Sequence, residues 1–180
     1  MEPSKYEASA TLKDGTEIII RAIRPDDSGP LREQFANLSL ESVRLRFHGL
    51  RRAPSENEAR RFADVDFVDT VALVATPRND PKELIAGARY IVDGDGAGHD
   101  SAEVAFLVLD EYQGKGIGSL MLRHLAIIAR TQGIREFKAD VLADNERMIR
   151  VFERSGLVTK RSTSFGVMRL VLTIAAEPSP

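Results

Sequence analysis

The sequence predicts a mixed α/β protein: one central mixed sheet of six to seven strands with helices on both faces. Two observations carry that expectation. Apolar runs at residues 70–76, 83–92 and 101–109 follow one another in hairpin style, separated by turn-rich stretches. From residue 101 onward the order becomes strand, helix, strand, helix, strand. A meander followed by crossover units fits a mixed sheet better than a repeating doubly wound one.

The elements follow in chain order. TEIIIRAIR (16–24) reads as a strand. RPDDSGPL supplies helix-start chemistry, with Asp26 or Asp27 as the N-cap. Leu31, Phe35, Leu38, Val43 and Phe47 recur at helical spacing, in two short helices broken near Ser39. Ser55 stands three residues before Glu58, a capping box opening a further helix. TVALVAT, ELIAGARYIV and SAEVAFLVL are the three meander strands, and DGDGAGHD (93–100) is a flexible turn. From Gly116 to about Gln132, Ile117, Leu120, Met121, Leu125 and Ile128 share one helical face, which Gly133 ends. EFKADVL is a strand. NERMIRVFERSG is a helix with Asn145 at its start, Met148, Ile149 and Phe152 inward, and Gly156 beyond its end. SFGVMRLVLTI (164–174) closes the sheet.

Composition narrows the function. With 180 residues the chain is long enough for one domain with a real core, expected over 1–180 with polar tails outside about 16–174. A net charge of −2 argues against nucleic acid or a membrane surface held by bulk charge. There is no cysteine, which removes disulfides, thiolate chemistry and Cys-ligated metal. His48, His99 and His124 have no metal-ligand partner at useful spacing, so no metal is expected. MEPSKYEASATLKDG carries no apolar signal core, and no run approaches the ~20 residues of a membrane span. A cytoplasmic protein of open oligomeric state is the expectation.

The stretch DEYQGKGIGS (110–119) concentrates the chemistry. Glycine weakens a helix interior, so a helix opening with Gly116 and Gly118 needs a reason. A turn from strand into helix N-terminus is an anion site, because the first N–H groups lack partners and the dipole favours negative charge. The nucleoside-triphosphate loop fails, since no Ser or Thr follows Lys115. The dinucleotide fingerprint fails, since position 119 is Ser119 and hairpin strands precede the turn. The pattern Q/R-x-x-G-x-G/A fits as Gln113, Gly116 and Gly118.

Residues 101–119 and 145–157 together resemble the two signature segments of the GNAT superfamily of N-acetyltransferases. The first is strand, QGKGIG, helix; the second is N-x-x-M-x-x-x-F-x-x-x-G-L, here Asn145, Met148, Phe152, Gly156 and Leu157. The layout from Thr16 to Ile174 matches that fold, so the resemblance covers nearly the whole chain. It implies that the backbone N–H groups of Gly114, Lys115, Gly116, Ile117, Gly118 and Ser119 bind the pyrophosphate of acetyl-CoA, with Lys115 adding a charge contact. Leu107, Val108 and Leu109 would offer backbone to the pantetheine amides at an edge opened by two splayed parallel strands. Asn145 would reach the cofactor from the second helix, or serve as a plain N-cap.

Glu103 is the candidate general base. A carboxylate in so apolar a strand is costly unless paired or functional. It lies roughly 20 Å from Leu109, the reach of an extended pantetheine arm. The resemblance gives it the task of taking a proton from the acceptor ammonium, before the amine attacks the thioester and a strand N–H meets the oxyanion. The structural alternative is a pairing with Arg89. Where many members carry a tyrosine that protonates the leaving thiolate, this chain has Phe152; the remaining tyrosines are Tyr6, Tyr90 and Tyr112.

The acceptor is the least legible part. Residues 38–47 (LSLESVRLRF), after an IRPxD start, resemble the bacterial protein-lysine acetyltransferase branch, whose members often carry a fused regulatory domain not seen here. A protein lysine is therefore the expected acceptor. A small amine, or a non-catalytic acetyl-CoA sensor, remains open. Asp64, Asp66 and Asp69 could draw in a cationic amine or simply solvate a helix end.

Overall fold

The computed structural model describes residues 1–94 and 100–174. Most of the expected Gly/Asp turn, with His99, lies outside the described residues, as does the C-terminal tail beyond Ile174. The elements run β1 (Glu7–Thr11), β2 (Glu17–Ala22), α1 (Ser28–Ala36), α2 (Leu40–Phe47), α3 (Glu56–Ala63), β3 (Thr70–Pro77), β4 (Ala86–Val92), β5 (Ser101–Val108), α4 (Ile117–Thr131), β6 (Glu136–Leu142), α5 (Glu146–Arg154), β7 (Val158–Ser164) and β8 (Val167–Thr173). Eight strands form one mixed sheet in the order β1-β2-β3-β4-β5-β6-β8-β7.

The expected six to seven strands are thus eight. The additions, β1 (EASAT) and β7 (VTKRSTS), lie at the two edges of the sheet, each with a single neighbour. A polar edge strand discourages pairing with another chain, and for the same reason it lacks the apolar alternation that marks a strand. β7 turns into β8 through Phe165 and Gly166, both in the left-handed region, so the closing run is a hairpin.

The sheet is covered on both faces. β3 is buried along nearly its whole length. Val71, Leu73 and Ala75 pack into the core that holds Met121, Leu125 and Ile128 of α4; Ala72 and Val74 join a smaller core with Ala63, Leu84 and Leu31. Continuous apolar content in β3, rather than alternation, follows from its position between two helical layers.

The helix ends largely behave as the sequence predicts. Ser55 and Glu58 form the reciprocal box, with the Ser55 N–H donating to Glu58 Oε2 (2.8 Å) and the Glu58 N–H to Ser55 Oγ (3.3 Å). Ser39 caps α2, accepting from the Ser42 N–H (3.1 Å). Gly133 and Gly156 end their helices at φ +82 and +71. Asp27 differs. It occupies the cap position of α1, but its carboxylate takes two N–H groups of Arg21 (2.7 Å each) and the Arg24 N–H (2.8 Å). The pair is buried and ties β2 to the turn before α1; removing one partner of such a pair costs about 3–5 kcal/mol.

Candidate active site

β5 and β6 run parallel, and they pair only at Ser101↔Glu136, Ala102↔Phe137 and Glu103↔Lys138. Beyond Glu103 the strands diverge, while β6 continues against β8 as far as Leu142. The opening is a cavity of about 850 Å³, with Ala139 and Val141 of β6 on one wall and Phe106 of β5 on the other. Every residue expected at the site lines it, except Leu109 and Lys115: Glu103, Leu107, Val108, Gln113, Gly114, Gly116, Ile117, Gly118, Ser119, Asn145 and Phe152.

The β5 register decides which backbone groups face the gap. The Leu109 N–H donates to the Ile85 carbonyl (2.9 Å), and the Asp93 N–H to the Ser101 carbonyl (3.0 Å). Odd-numbered residues therefore exchange hydrogen bonds with β4, and antiparallel alternation turns the N–H and C=O of Val104, Phe106 and Val108 toward the opening. Leu107 and Leu109 turn theirs away, and the Leu109 side chain is buried in the main core. Phe106 is the open-edge residue that sequence reading missed, because the side-chain pattern does not report which backbone groups are already paired.

Gln113 fastens this corner. Its Nε2 donates to the Val108 carbonyl (3.1 Å) and to Ser42 Oγ (3.0 Å), while its Oε1 accepts from Arg147 (2.7 Å). Asp110 accepts from the Ser39 N–H (3.1 Å), Ser39 Oγ (2.7 Å) and Ser42 Oγ (2.9 Å), so the start of α2 is strapped to the glycine turn. Burial pushes the Asp110 carboxyl up, but the hydrogen bonds from Ser39 and Ser42 outweigh it and leave the pKa below its ordinary value.

At the turn itself, Gly114 and Gly116 have φ +78 and +93, and α4 begins at Ile117. The N–H groups of the first helical turn have no earlier helical carbonyl to meet, so this end of the cavity suits an anion. Lys115 does not enter it. Its ammonium sits 3.0 Å from Asp14 and 4.9 Å from the centre of the Tyr112 ring. Lys13, from the β1–β2 hairpin, lines the cavity instead. Nothing local in KDG marks Lys13 as a site residue; only the folded hairpin brings it there.

Asn145 is an N-cap, its Oδ1 accepting from the Met148 N–H (3.1 Å), and it also lines the cavity. Phe152 is 1% exposed and meets Phe106 edge-on at 5.6 Å, which makes it a packing residue of the cavity floor. None of Tyr6, Tyr90 and Tyr112 lines the cavity. Tyr6 is hydrogen-bonded to His124 Nδ1, and burial pushes the Tyr90 phenol far above its usual range. His48, at the left-handed end of α2, does line the cavity, with Nε2 3.2 Å from the Asp140 carbonyl.

Glu103 stands at the apex where β5 and β6 part, on the face toward α2, exposed to the cavity. It makes no ion pair among the described residues, and Arg89 instead donates to the Phe62 carbonyl (3.0 Å). Asp64, Asp66 and Asp69 do not line the cavity. Asp66 is a turn residue, accepting from the N–H groups of Val68, Asp69 and Thr70 at 2.8–3.0 Å. Among the described residues no group of three His, Asp or Glu side chains could hold a metal, and no helix is long and apolar enough to cross a membrane.

Comparisons with known proteins agree with this architecture. The profile of the Acetyltransferase (GNAT) family matches residues 40–157. The chain is 33% identical over 150 residues to "Acetyltransferase Pat" of Mycolicibacterium smegmatis; the match covers 83% of this chain but 44% of that relative, so the chain spans less than half its length. The crystal structure of the GNAT domain of S. lividans PAT superposes with a TM-score of 0.85 at 42% identity, covering 93% of this chain and 96% of that one. A cAMP-binding acyltransferase from Mycobacterium smegmatis gives a TM-score of 0.64 at 27% identity, covering 94% of this chain and 48% of its own. With its signature glycine turn, splayed β5–β6 edge and a profile match over most of its length, the chain belongs to the GNAT family of acetyltransferases, whose cosubstrate is acetyl-CoA.

Proposed function

We propose that the protein transfers an acetyl group from acetyl-CoA to a primary amine, the side chain of a protein lysine, with Glu103 as general base. One observation carries the reading: the open β5 edge, the glycine turn and an unpaired carboxylate line a single cavity. The N–H groups from Gly114 to Ser119 and the Lys13 ammonium suit the pyrophosphate. The backbone of Phe106 and Val108 suits the pantetheine amides. Glu103, at the far end of the arm, takes the proton from the acceptor ammonium. The amine nitrogen then bonds to the thioester carbonyl carbon, and the C–S bond breaks. CoA leaves as a thiolate with the electron pair, and the second amine proton passes to that thiolate through solvent. A thiol ionises near ~8.5, so this departure does not require the absent tyrosine.

A lysine acceptor is supported by the resemblance of residues 38–47 to the protein-lysine branch and by relatives that bear the name Pat. Calorimetric titration of acetyl-CoA tests the cofactor: micromolar binding to wild type and none to Gly116→Asp is expected. A folded wild type that binds none removes the reading. Mass spectrometry of acetylated lysines then separates a protein acceptor from a small amine.

A further inference from the structure

The face that carries Glu103 also carries an alternating stack of cations and rings. Arg46 and Phe47 end α2, Arg51 follows in the loop, Phe62 comes from α3 and Arg89 from β4. The guanidinium carbons of Arg46 and Arg51 each lie 4.8 Å from the Phe47 ring centre. Arg51 lies 5.7 Å and Arg89 5.4 Å from that of Phe62. Ring faces attract each cation, but three like charges in one stack oppose one another. Burial, then Arg89 and Arg51, pushes the Arg46 pKa down to about 10 against the opposing pull of the Glu103 carboxylate, which leaves it charged at neutral pH. A stack built for packing alone would be at least as stable with uncharged side chains of similar volume.

Arg46 lines the cavity with Glu103. The other cations near Glu103 are engaged. Lys138, opposite it on β6, holds Asp93 at 2.7 Å, and Arg169 holds Asp140, with an Nε contact of 2.7 Å. Arg51 reaches Glu58 only at 4.0 Å, and Glu58 is held more closely by Arg52 (3.2 Å). Arg46 makes no hydrogen bond or close ion pair among the described residues, and the carboxylate whose charge reaches it is Glu103. Arg89 stands directly opposite Ala105, two residues and roughly 7 Å along the same face from Glu103. An anionic and a cationic subsite therefore lie side by side where the acceptor must arrive.

We propose that Arg46, backed by Arg51 and Arg89, is an anion subsite for a carboxylate carried by the acceptor next to its reacting amine. On a protein acceptor this is an aspartate or glutamate flanking the target lysine. The proposal rests on the acetyltransferase reading and names its acceptor class: a bipolar segment with the amine toward Glu103 and the carboxylate toward Arg46.

The test uses binding, so that it stands apart from turnover. CoA-saturated protein is titrated calorimetrically with an acetyl-lysine peptide flanked by glutamates, and with the same peptide flanked by glutamines. Wild type is expected to bind the glutamate peptide roughly tenfold more tightly, the scale of one charge-assisted hydrogen bond. Arg46→Gln brings the ratio to about one, and Arg46→Lys keeps part of it. Free glutamate that binds more tightly than the peptide keeps the subsite and assigns the carboxylate to a small acceptor. Equal affinity for both peptides, no binding of either peptide or of glutamate by folded wild type, or a preference that survives in Arg46→Gln overturns the proposal. A protein that shows the preference yet acetylates no amine sinks the transferase reading alone. A protein that binds both acetyl-lysine peptides equally and acetylates their unmodified lysine forms at equal rates sinks the subsite alone.

Discussion

Lys13 lies across the glycine turn: its backbone N–H donates to the Lys115 carbonyl at 3.1 Å, and its methylene chain is where a side chain on Gly116 would make contact, at 3.5 Å. The hairpin that carries Lys13 also carries Asp14, which binds the Lys115 ammonium. Its tip thus does two opposite things, presenting one lysine to the cavity and withdrawing the other. Of the two, Lys13 is the cation that lines the cavity.

Lys13→Met is expected to weaken acetyl-CoA binding about tenfold, more at low salt than at high, since a charge-assisted contact is worth roughly 1.5–3 kcal/mol. Lys115→Met is expected to change the Kd less than about twofold. Calorimetry at two ionic strengths checks both. The reverse ranking would return the phosphate contact to Lys115.

Gly116 and Gly118 differ in what they tolerate. Gly116 sits at φ +93, where a side chain costs ~1–2 kcal/mol, and Gly116→Ala is expected to lose about that in a denaturation midpoint. Gly118 lies inside α4, where an added Cβ would meet Val151 at 3.5 Å, an ordinary contact. Gly118→Ala should fold with unchanged or slightly higher stability, because alanine favours a helix by about 0.5–1 kcal/mol. A loss at Gly118 equal to that at Gly116 would mean that the turn has another backbone geometry.

Glu103→Gln keeps the shape of the apex and removes the proposed base. Rates of CoA release with an accepted amine are expected to fall roughly 10²–10⁴-fold, with the acetyl-CoA Kd unchanged. A variant that keeps its rate would leave proton removal to water or to His48, whose imidazole also lines the cavity.

The Asp110 strap titrates. Its carboxyl is held below the ordinary value in the folded protein, so its contribution is complete above the unfolded pKa, about 3.9, and is lost as pH falls through the folded one. Loosening of α2 from the turn is therefore expected only below about pH 4, seen as lost hydrogen-exchange protection at Ser42 and its neighbours. Asp110→Ala should show that loosening at every pH. Persistent protection of α2 in that variant would show that other contacts hold it.

What the sequence determined by itself is what neighbouring residues decide. The Ser55–Glu58 box, the Asn145 cap, the glycine stops at 133 and 156 and the α4 apolar face each lie within one or two turns of chain. Short-range hydrogen bonds and side-chain period write such features directly into the residue order. The glycine turn and Glu103 were legible for the same reason: each breaks a local rule, glycine in a helix start and charge in an apolar strand. Only the tertiary structure decided the rest. Polar edge strands β1 and β7 form because a neighbour offers hydrogen bonds, not because their own pattern demands it. Phe106 faces the gap because β4 occupies the alternate backbone groups of β5. Lys13 replaces Lys115 at the turn because the hairpin closes over it. Arg46 and Arg51 meet the Phe47 ring, and Arg51 and Arg89 that of Phe62, because α2, α3 and β4 converge on one face. Each of these depends on groups far apart in the chain, and long-range packing brings them together without leaving a periodic mark in the sequence.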